Sequence, residues 1–267
     1  MKLNKAGITG FVLCFTAILF GIATNGGMET IISYLHLPSL LVTVGGSFFA
    51  VMATTDSFED LIFGLSGFIE AFRVKGRDID HVCEEILYMS DIARREGILA
   101  LEDRMQAMDN SFLKKGMTLV IDGADPELIK DIMDIEMTHR YEKERERVKF
   151  WQDFGAYGPA WGMVGTLIGL INMMKNMGSD PSSIGEGMSL ALITTLYGSV
   201  LANWICIPIA RKLDKNCSKE YLEMELITTG TLSIQAGENT RIIKEKIQAI
   251  IEREDEENKS QPVEKAA

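Results

Sequence analysis

Two long apolar runs limit what this chain can fold into. Residues 158–174 and 187–210 contain no carboxylate. In the first, Gly158, Gly162, Gly165 and Gly169 recur at spacings that place them on one face of a helix. The second carries Thr194, Thr195, Tyr197, Ser199 and Asn203 among its apolar residues. A helix facing only lipid has no use for that polarity, whereas a packed or wet interface does. The stretch reads as part of a membrane assembly with a functional seam. A titrating acid at that seam would have to come from another protein.

Average composition hides this segregation. Across 267 residues the mean hydropathy is only +0.08, because the apolar runs sit beside a heavily charged middle. The net charge of −11 argues against a nucleic-acid partner, since phosphate binding needs clustered Lys and Arg. Cys14, Cys83, Cys206 and Cys217 form no CxxC pair and read as free thiols. His36, His81 and His139 lie far apart, so no metal site or cofactor is expected.

Crossing a bilayer takes roughly 20 apolar helical residues. Four segments approach that length: 6–24, 37–54, 155–174 and 187–210. The first follows Lys2 and Lys5 like a signal peptide, but its apolar stretch exceeds the ~7–15 residues of a secretory core. The second is short and carries Gly45 and Gly46, which leaves a buried soluble helix as its alternative. The connectors 25–36 and 176–186 lack Lys and Arg. The other flanks carry Lys2 and Lys5, then Arg73, Lys75 and Arg77, then Arg211, Lys212 and Lys215. By the positive-inside rule both termini and the middle region face the cytoplasm.

The middle region has helical periodicity and little sign of strands. Apolar residues at Ile79, Val82, Ile86, Met89 and Ala93 predict a helix over 78–95, ended or bent by Gly97. Further helices are predicted over 99–108 and 110–121, the latter stopped by Asp122–Gly123. Asp125–Pro126 opens another that continues into the third span. After Ala210 a helical pattern resumes, with breaks near Gly230 and Gly237. The expected fold is all-α. Its parts are two transmembrane helices in 1–55, a cytoplasmic helical domain in 56–154, two more spans in 155–211, C-terminal helices in 212–251 and a disordered acidic tail in 252–267.

No nucleophile triad can be placed and no phosphate-binding glycine loop occurs, so an enzyme is not expected. The glycine face admits two readings: packing within one subunit, or a seam between subunits. Thr195, Ser199 and Asn203 recur every four residues, with Thr166 in the preceding span, and suggest a water- or ion-accessible face. Pro159 and Pro208 each remove a backbone donor, giving a static kink or a hinge. Residues 93–102 read A-R-R-E-G-I-L-A-L-E, with Arg94, Arg95, Glu96, Glu102 and Asp103 around Gly97. Taken alone, such a charge run reads as a solvated face.

The run 151–170, W-Q-D-F-G-A-Y-G-P-A-W-G-M-V-G-T-L-I-G-L, resembles the third-span signature of flagellar motor stator subunits of the MotA/PomA family. So do 192–213, L-I-T-T-L-Y-G-S-V-L-A-N-W-I-C-I-P-I-A-R-K-L, the A-R-R-E-G-I-L-A-L-E stretch, and S-I-Q-A-G-E-N-T-R at 233–241. The resemblance covers nearly the whole chain in order. It implies a pentameric ring in the bacterial inner membrane around two copies of a single-span partner, MotB, whose aspartate carries the ion. It further implies that Arg94 and Glu102 engage the rotor protein FliG, with Arg95 and Asp103 as secondary candidates. Pro159 and Pro208 match prolines that couple ion passage to movement, and Thr195 matches a pore-facing threonine. Thr166 and the 182–185 segment are similar to sodium-type members, so the ion is left as proton or sodium. Two rivals remain. One is an ExbB/TolQ-type motor subunit, which has three spans and lacks the A-R-R-E-G motif. The other is a non-conducting membrane scaffold.

Overall fold

The computed structural model describes residues 5–73, 79–105, 108, 110–176 and 182–260. Lys2, Lys75 and Arg77, used above for orientation, and residues 261–267 of the tail lie outside that set. The elements among the described residues are all helices, with no strand. The chain divides into two units, 1–75 with 144–215, and 76–143 with 216–267.

The first unit opens with α1 (Lys5–Ser33). His36 then caps α2 (Leu37–Leu40): its Nδ1 accepts the Ser39 N–H at 3.3 Å, and Pro38 sits in the first turn, where no amide is needed. A π turn (Leu41–Gly45) leads into α3 (Gly46–Met52), where Trp161 lies on Gly46 and leaves no room for a Cβ. Ser57 caps α4 (Phe58–Phe72) by accepting the Asp60 N–H at 3.2 Å.

One face of α4, Leu61, Gly64, Gly67 and Ala71, is buried. Its glycines admit two aromatic rings from a long helix described below. A Cβ at Gly64 would lie 2.5 Å from Phe150 Cγ, and the Trp151 indole N–H donates to the Gly64 carbonyl at 2.9 Å. Phe150, Trp151 and Phe154 join Val51, Ile209 and Leu213 in one core. On the other face Phe58, Ile62 and Ile69 are exposed. Residues 56–73 and 144–154 pack in the same unit as the apolar helices.

The second unit begins with α5 (Ile79–Glu96). Gly97, at φ +92°, turns the chain through a short 3-10 stretch (Ile98–Ala100) into α6 (Leu101–Met105), so the helix expected over 99–108 is shorter. Asn110 caps α7 (Ser111–Ile121), accepting the amides of Phe112 and Leu113, and donates to Glu223 at 2.9 Å. Gly123, at φ +73°, ends α7 in the left-handed conformation that glycine adopts without strain.

Helix α8 (Pro126–Asn176) starts with Asp125 Oδ1 accepting the Glu127 amide at 2.9 Å. Its residues up to 143 fall in the second unit and the rest in the first. The first unit also holds α9 (Ser182–Val200), a second π turn (Leu201–Cys206) and the start of α10 (Ile207–Gln235). Residues 182–185 are therefore the opening turn of a helix and not a loop.

Ile86, Met89, Leu113, Met117, Ile129, Leu226 and Ile227 form the fully buried centre of the second unit. Gly230 does not break α10; Ile86 sits against it at a distance that excludes a side chain. Gly237, at φ +67°, makes the break. The last helix, α11 (Thr240–Ser260), runs nine residues past the start of the expected disordered tail. Arg253 paired with Glu225 at 2.7 Å fastens it there.

Two expectations follow. Gly64→Val would force Phe150 off the α4 backbone and should cost about 1–3 kcal/mol. Thermal unfolding of the solubilised protein should shift down accordingly, whereas Gly21→Ala, with open space around it in the interior of α1, should hold or raise the midpoint, because alanine is the better helix former. The second concerns pH. Burial pushes the Glu136 carboxyl up, but hydrogen bonds from Lys115 and Arg140 outweigh it, and the pKa falls below the usual carboxylate value. A depressed folded pKa contributes stability fully above the unfolded value of ~4.3 and loses it as pH falls through the folded value. The melting temperature should thus drop more steeply below about pH 4 for the wild type than for Glu136→Gln.

Candidate functional site

Helices α8 and α9 approach at backbone distance. A Cβ added at Gly158 would lie 2.9 Å from the Gly198 carbonyl oxygen, and one at Gly198 would lie 2.5 Å from that of Gly158. At Gly162 the obstacle is the Thr194 carbonyl at 3.0 Å, at Gly165 the Thr194 side chain at 2.5 Å, and at Gly169 the Gly187 carbonyl at 2.7 Å. All four glycines are buried by this contact. The stripe is used within the chain, and a subunit–subunit seam would need another surface.

This approach sets Thr166 beside Thr195. Their Oγ1 atoms are 2.6 Å apart. Thr166 Oγ1 is also 3.0 Å from the Gly162 carbonyl and 3.1 Å from that of Ala191, while Thr195 Oγ1 lies 3.2 Å from the same Ala191 oxygen. Two hydroxyls and two carbonyls thus gather with only two protons between them, an arrangement rich in lone pairs for a cation or its water. Thr195 is exposed and Thr166 half-buried, and the exposed side chains of Met163, Leu167 and Leu192 flank them. Among the described residues no His, Cys, Asp or Glu cluster could hold a metal ion.

Hydroxyls that the sequence reading passed over lie behind this pair. Ser39, Thr43 and Ser47 are wholly buried. Thr43 Oγ1 donates to the Thr194 carbonyl at 3.4 Å and Ser47 Oγ donates to the Thr43 carbonyl at 2.6 Å. Their four-residue spacing in L-P-S-L-L-V-T-V-G-G-S was the available signal. At one end of the same contact, Tyr197 donates its hydroxyl to the Tyr34 carbonyl and accepts the His36 amide at 3.1 Å.

The four-residue stripe of α9 does not stay on one course. Thr195 faces Thr166, and Ser199 is exposed. Within the π turn, Asn203 lines a separate cavity beside α1, together with Pro208 from just beyond it. In that turn the Ile207 amide reaches back five residues to the Ala202 carbonyl, and Pro208 then has no amide to give. Pro159, inside α8, is exposed next to the Gly158–Gly198 contact.

Arg94, Arg95, Glu102 and Asp103 are far from this region in kind as well as in sequence: they are exposed groups of the second unit. Arg94 and Arg95 occupy the last turn of α5, Glu102 and Asp103 the first turn of α6, and Gly97 makes the corner between them. Arg95 pairs with Asp91 at 2.8 Å. Neither Arg94 nor Glu102 has an ion-pair partner among the described residues.

Comparison with known proteins bears on both regions. The profile of the MotA/TolQ/ExbB proton channel family matches residues 104–226. YtxD of Bacillus subtilis, a protein of uncharacterised function, is 36% identical over 92% of this chain and 90% of its own length. Motility protein A of Borreliella burgdorferi is 36% identical over 93% of this chain and 94% of its own. Among solved structures, the C. jejuni MotAB structure has a chain that superposes with a TM-score of 0.84 at 29% identity, covering 93% of this chain and 96% of that one. Similarity of that extent, over more than nine-tenths of both chains, means that the chain belongs to the MotA/TolQ/ExbB proton channel family.

Proposed function

We infer that this chain is a stator subunit of the bacterial flagellar motor and works with a MotB-type partner that brings the ion-carrying aspartate. One observation carries the reading: the Thr166–Thr195 hydroxyl pair opens outward from a glycine-lined seam, in spans with no carboxylate of their own. The relatives named motility protein A and the solved MotAB complex support it.

Among the described residues three helices are long and apolar enough to cross a membrane, within Lys5–Thr24, Pro126–Lys175 and Ile184–Gln235. The shorter Leu37–Met52 is read as a fourth crossing, because its buried hydroxyls meet α9 and an even count keeps both termini in the cytoplasm. Five copies close a ring in the inner membrane around two partner helices, with the Thr166–Thr195 face turned inward. An acid at the bilayer centre costs at least ~2.5–3.5 kcal/mol. The ring walls avoid that cost by offering hydroxyls and carbonyls to a proton or sodium ion on the partner's aspartate.

One charge moving through 100 mV releases about 2.3 kcal/mol, several times thermal energy. That is enough to bias a packed element between two arrangements. Pro159 and Pro208 supply points where the helices bend as the ring turns. The exposed Arg94 and Glu102 then meet opposite charges on FliG, with Arg95 and Asp103 beside them. Exposed pairs are worth only ~0–1 kcal/mol each, which suits contacts that must form and break at every step.

Reversing both charges, Arg94→Glu with Glu102→Lys, should abolish spreading on soft agar while the protein still reaches the membrane and retains its partner in pull-downs. Unimpaired swimming would count heavily against the rotor contact. Thr195→Val removes one hydroxyl from the ion path. At about 1–1.5 kcal/mol per hydrogen bond, ion flux should fall roughly tenfold. Swimming speed measured against sodium concentration, with and without a protonophore, reads that loss and identifies the ion; undiminished speed would take the hydroxyl pair out of the path.

A further inference from the structure

Beside α1 lies a cavity of about 320 Å³, within the ~300–1,000 Å³ typical of ligand sites. It runs between one flank of α1, the end of α4 and the α10 start. From Lys212 to Asn203 the slot follows nine residues, about 13 Å at ~1.5 Å per residue.

The walls are apolar and aromatic, with Phe11, Phe72 and Trp204 prominent. Phe11 stacks on Trp204 with ring centroids 4.6 Å apart, and the Trp204 indole N–H is taken up by the Phe11 carbonyl at 3.0 Å. At the deep end the Asn203 amide donates to the Ser199 carbonyl at 3.0 Å, so it asks little of an occupant. Charge enters at the other end only. Lys212 lines the mouth, Lys5 directly precedes the lining residue Ala6, and Arg211 and Lys215 stand on either side of Lys212 in the sequence of α10. A long apolar slot with cations at one end is complementary to an amphiphile with an anionic head.

We propose that this slot binds one anionic phospholipid, its phosphate at Lys212 and Lys5 and an acyl chain lying along Gly10, Phe11 and Trp204 toward Asn203. The bound chain touches Pro208 and the end of the π turn, so the lipid props the segment where the α10 register changes. The proposal rests on reading the first unit as embedded in a membrane, and not on the motor assignment.

Trp204 provides the probe. The full chain, in the oligomer it forms, is reconstituted in phosphatidylcholine vesicles containing either brominated phosphatidylglycerol or brominated phosphatidylcholine, and tryptophan fluorescence is followed. Brominated phosphatidylglycerol should quench at about fivefold lower mole fraction for each lysine that holds its phosphate. Trp204→Phe should remove that difference, because Trp151 and Trp161 lie elsewhere. Lys5→Gln with Lys212→Gln should bring the two lipids level. Gly10→Leu, at a position with open space for a side chain, should fill the slot and weaken quenching by both. Gel filtration checks that each variant still assembles. Equal quenching of the wild type by both lipids would mean ordinary boundary lipid and overturn the proposal. No quenching of Trp204 by either would mean that a protein helix covers the slot, and would overturn it equally. Unimpaired swimming of the Arg94→Glu, Glu102→Lys variant, with lipid preference intact, would tell against the motor reading alone.

Discussion

Backbone contact between α8 and α9 is the constraint on which the apolar unit depends. Lipid gives helices no hydrophobic reason to associate, so they must gain from close van der Waals packing. Gly158 against Gly198 and Gly169 against Gly187 provide it, with the Thr194 side chain filling the space at Gly165. The same approach delivers Thr166 Oγ1 to within 2.6 Å of Thr195 Oγ1. A side chain at any of these glycines would open both the contact and the hydroxyl pair. Packing and polarity at this site have one cause.

The second unit obeys a different solvent. Its core of Ile, Leu and Met is driven together by water, and its helix ends are capped by Asn110 and Asp125 in the usual way. What it presents outward is a corner. Gly97 takes a backbone conformation that side-chain-bearing residues rarely adopt, and so brings the last turn of α5 round to the first turn of α6. The two pairs of charges flank that corner, and the exposed Leu99 lies between them.

Much of this was legible in the residues. The apolar helices, the one-sided glycines, the stops at Asp122–Gly123 and Gly237, and the start at Asp125–Pro126 all follow from local chemistry. The misreadings have physical causes too. α4 packs with the apolar helices through a face made flat by Gly64 and Gly67, a pairing with residues far along the chain that local sequence does not announce. Gly230 looked like a break because a glycine in a helix is costly unless a neighbour needs the space, and Ile86 lies in another helix far back in the sequence. Ser39, Thr43 and Ser47 were hidden for a related reason: hydroxyls that bond to their own helix give no outward sign of which neighbour covers them. Asn203 left the stripe of Thr195 and Ser199 beside a π turn, which periodicity does not announce.

The tie between Trp204 and the Phe11 carbonyl spans 193 residues. At ~5–20 residues per second, synthesis separates the two by roughly 10–40 s. During that interval α1 has to exist in the bilayer without its partner, and its composition suits the wait. The apolar part of α1 has none of its residues buried by the rest of the chain, and Thr9, Thr16 and Thr24 each return their hydroxyl proton to a carbonyl of their own helix. The first helix can therefore insert as it stands, with Phe72 of α4 reaching Phe11 early and the tie to Trp204 made only once α10 begins to follow.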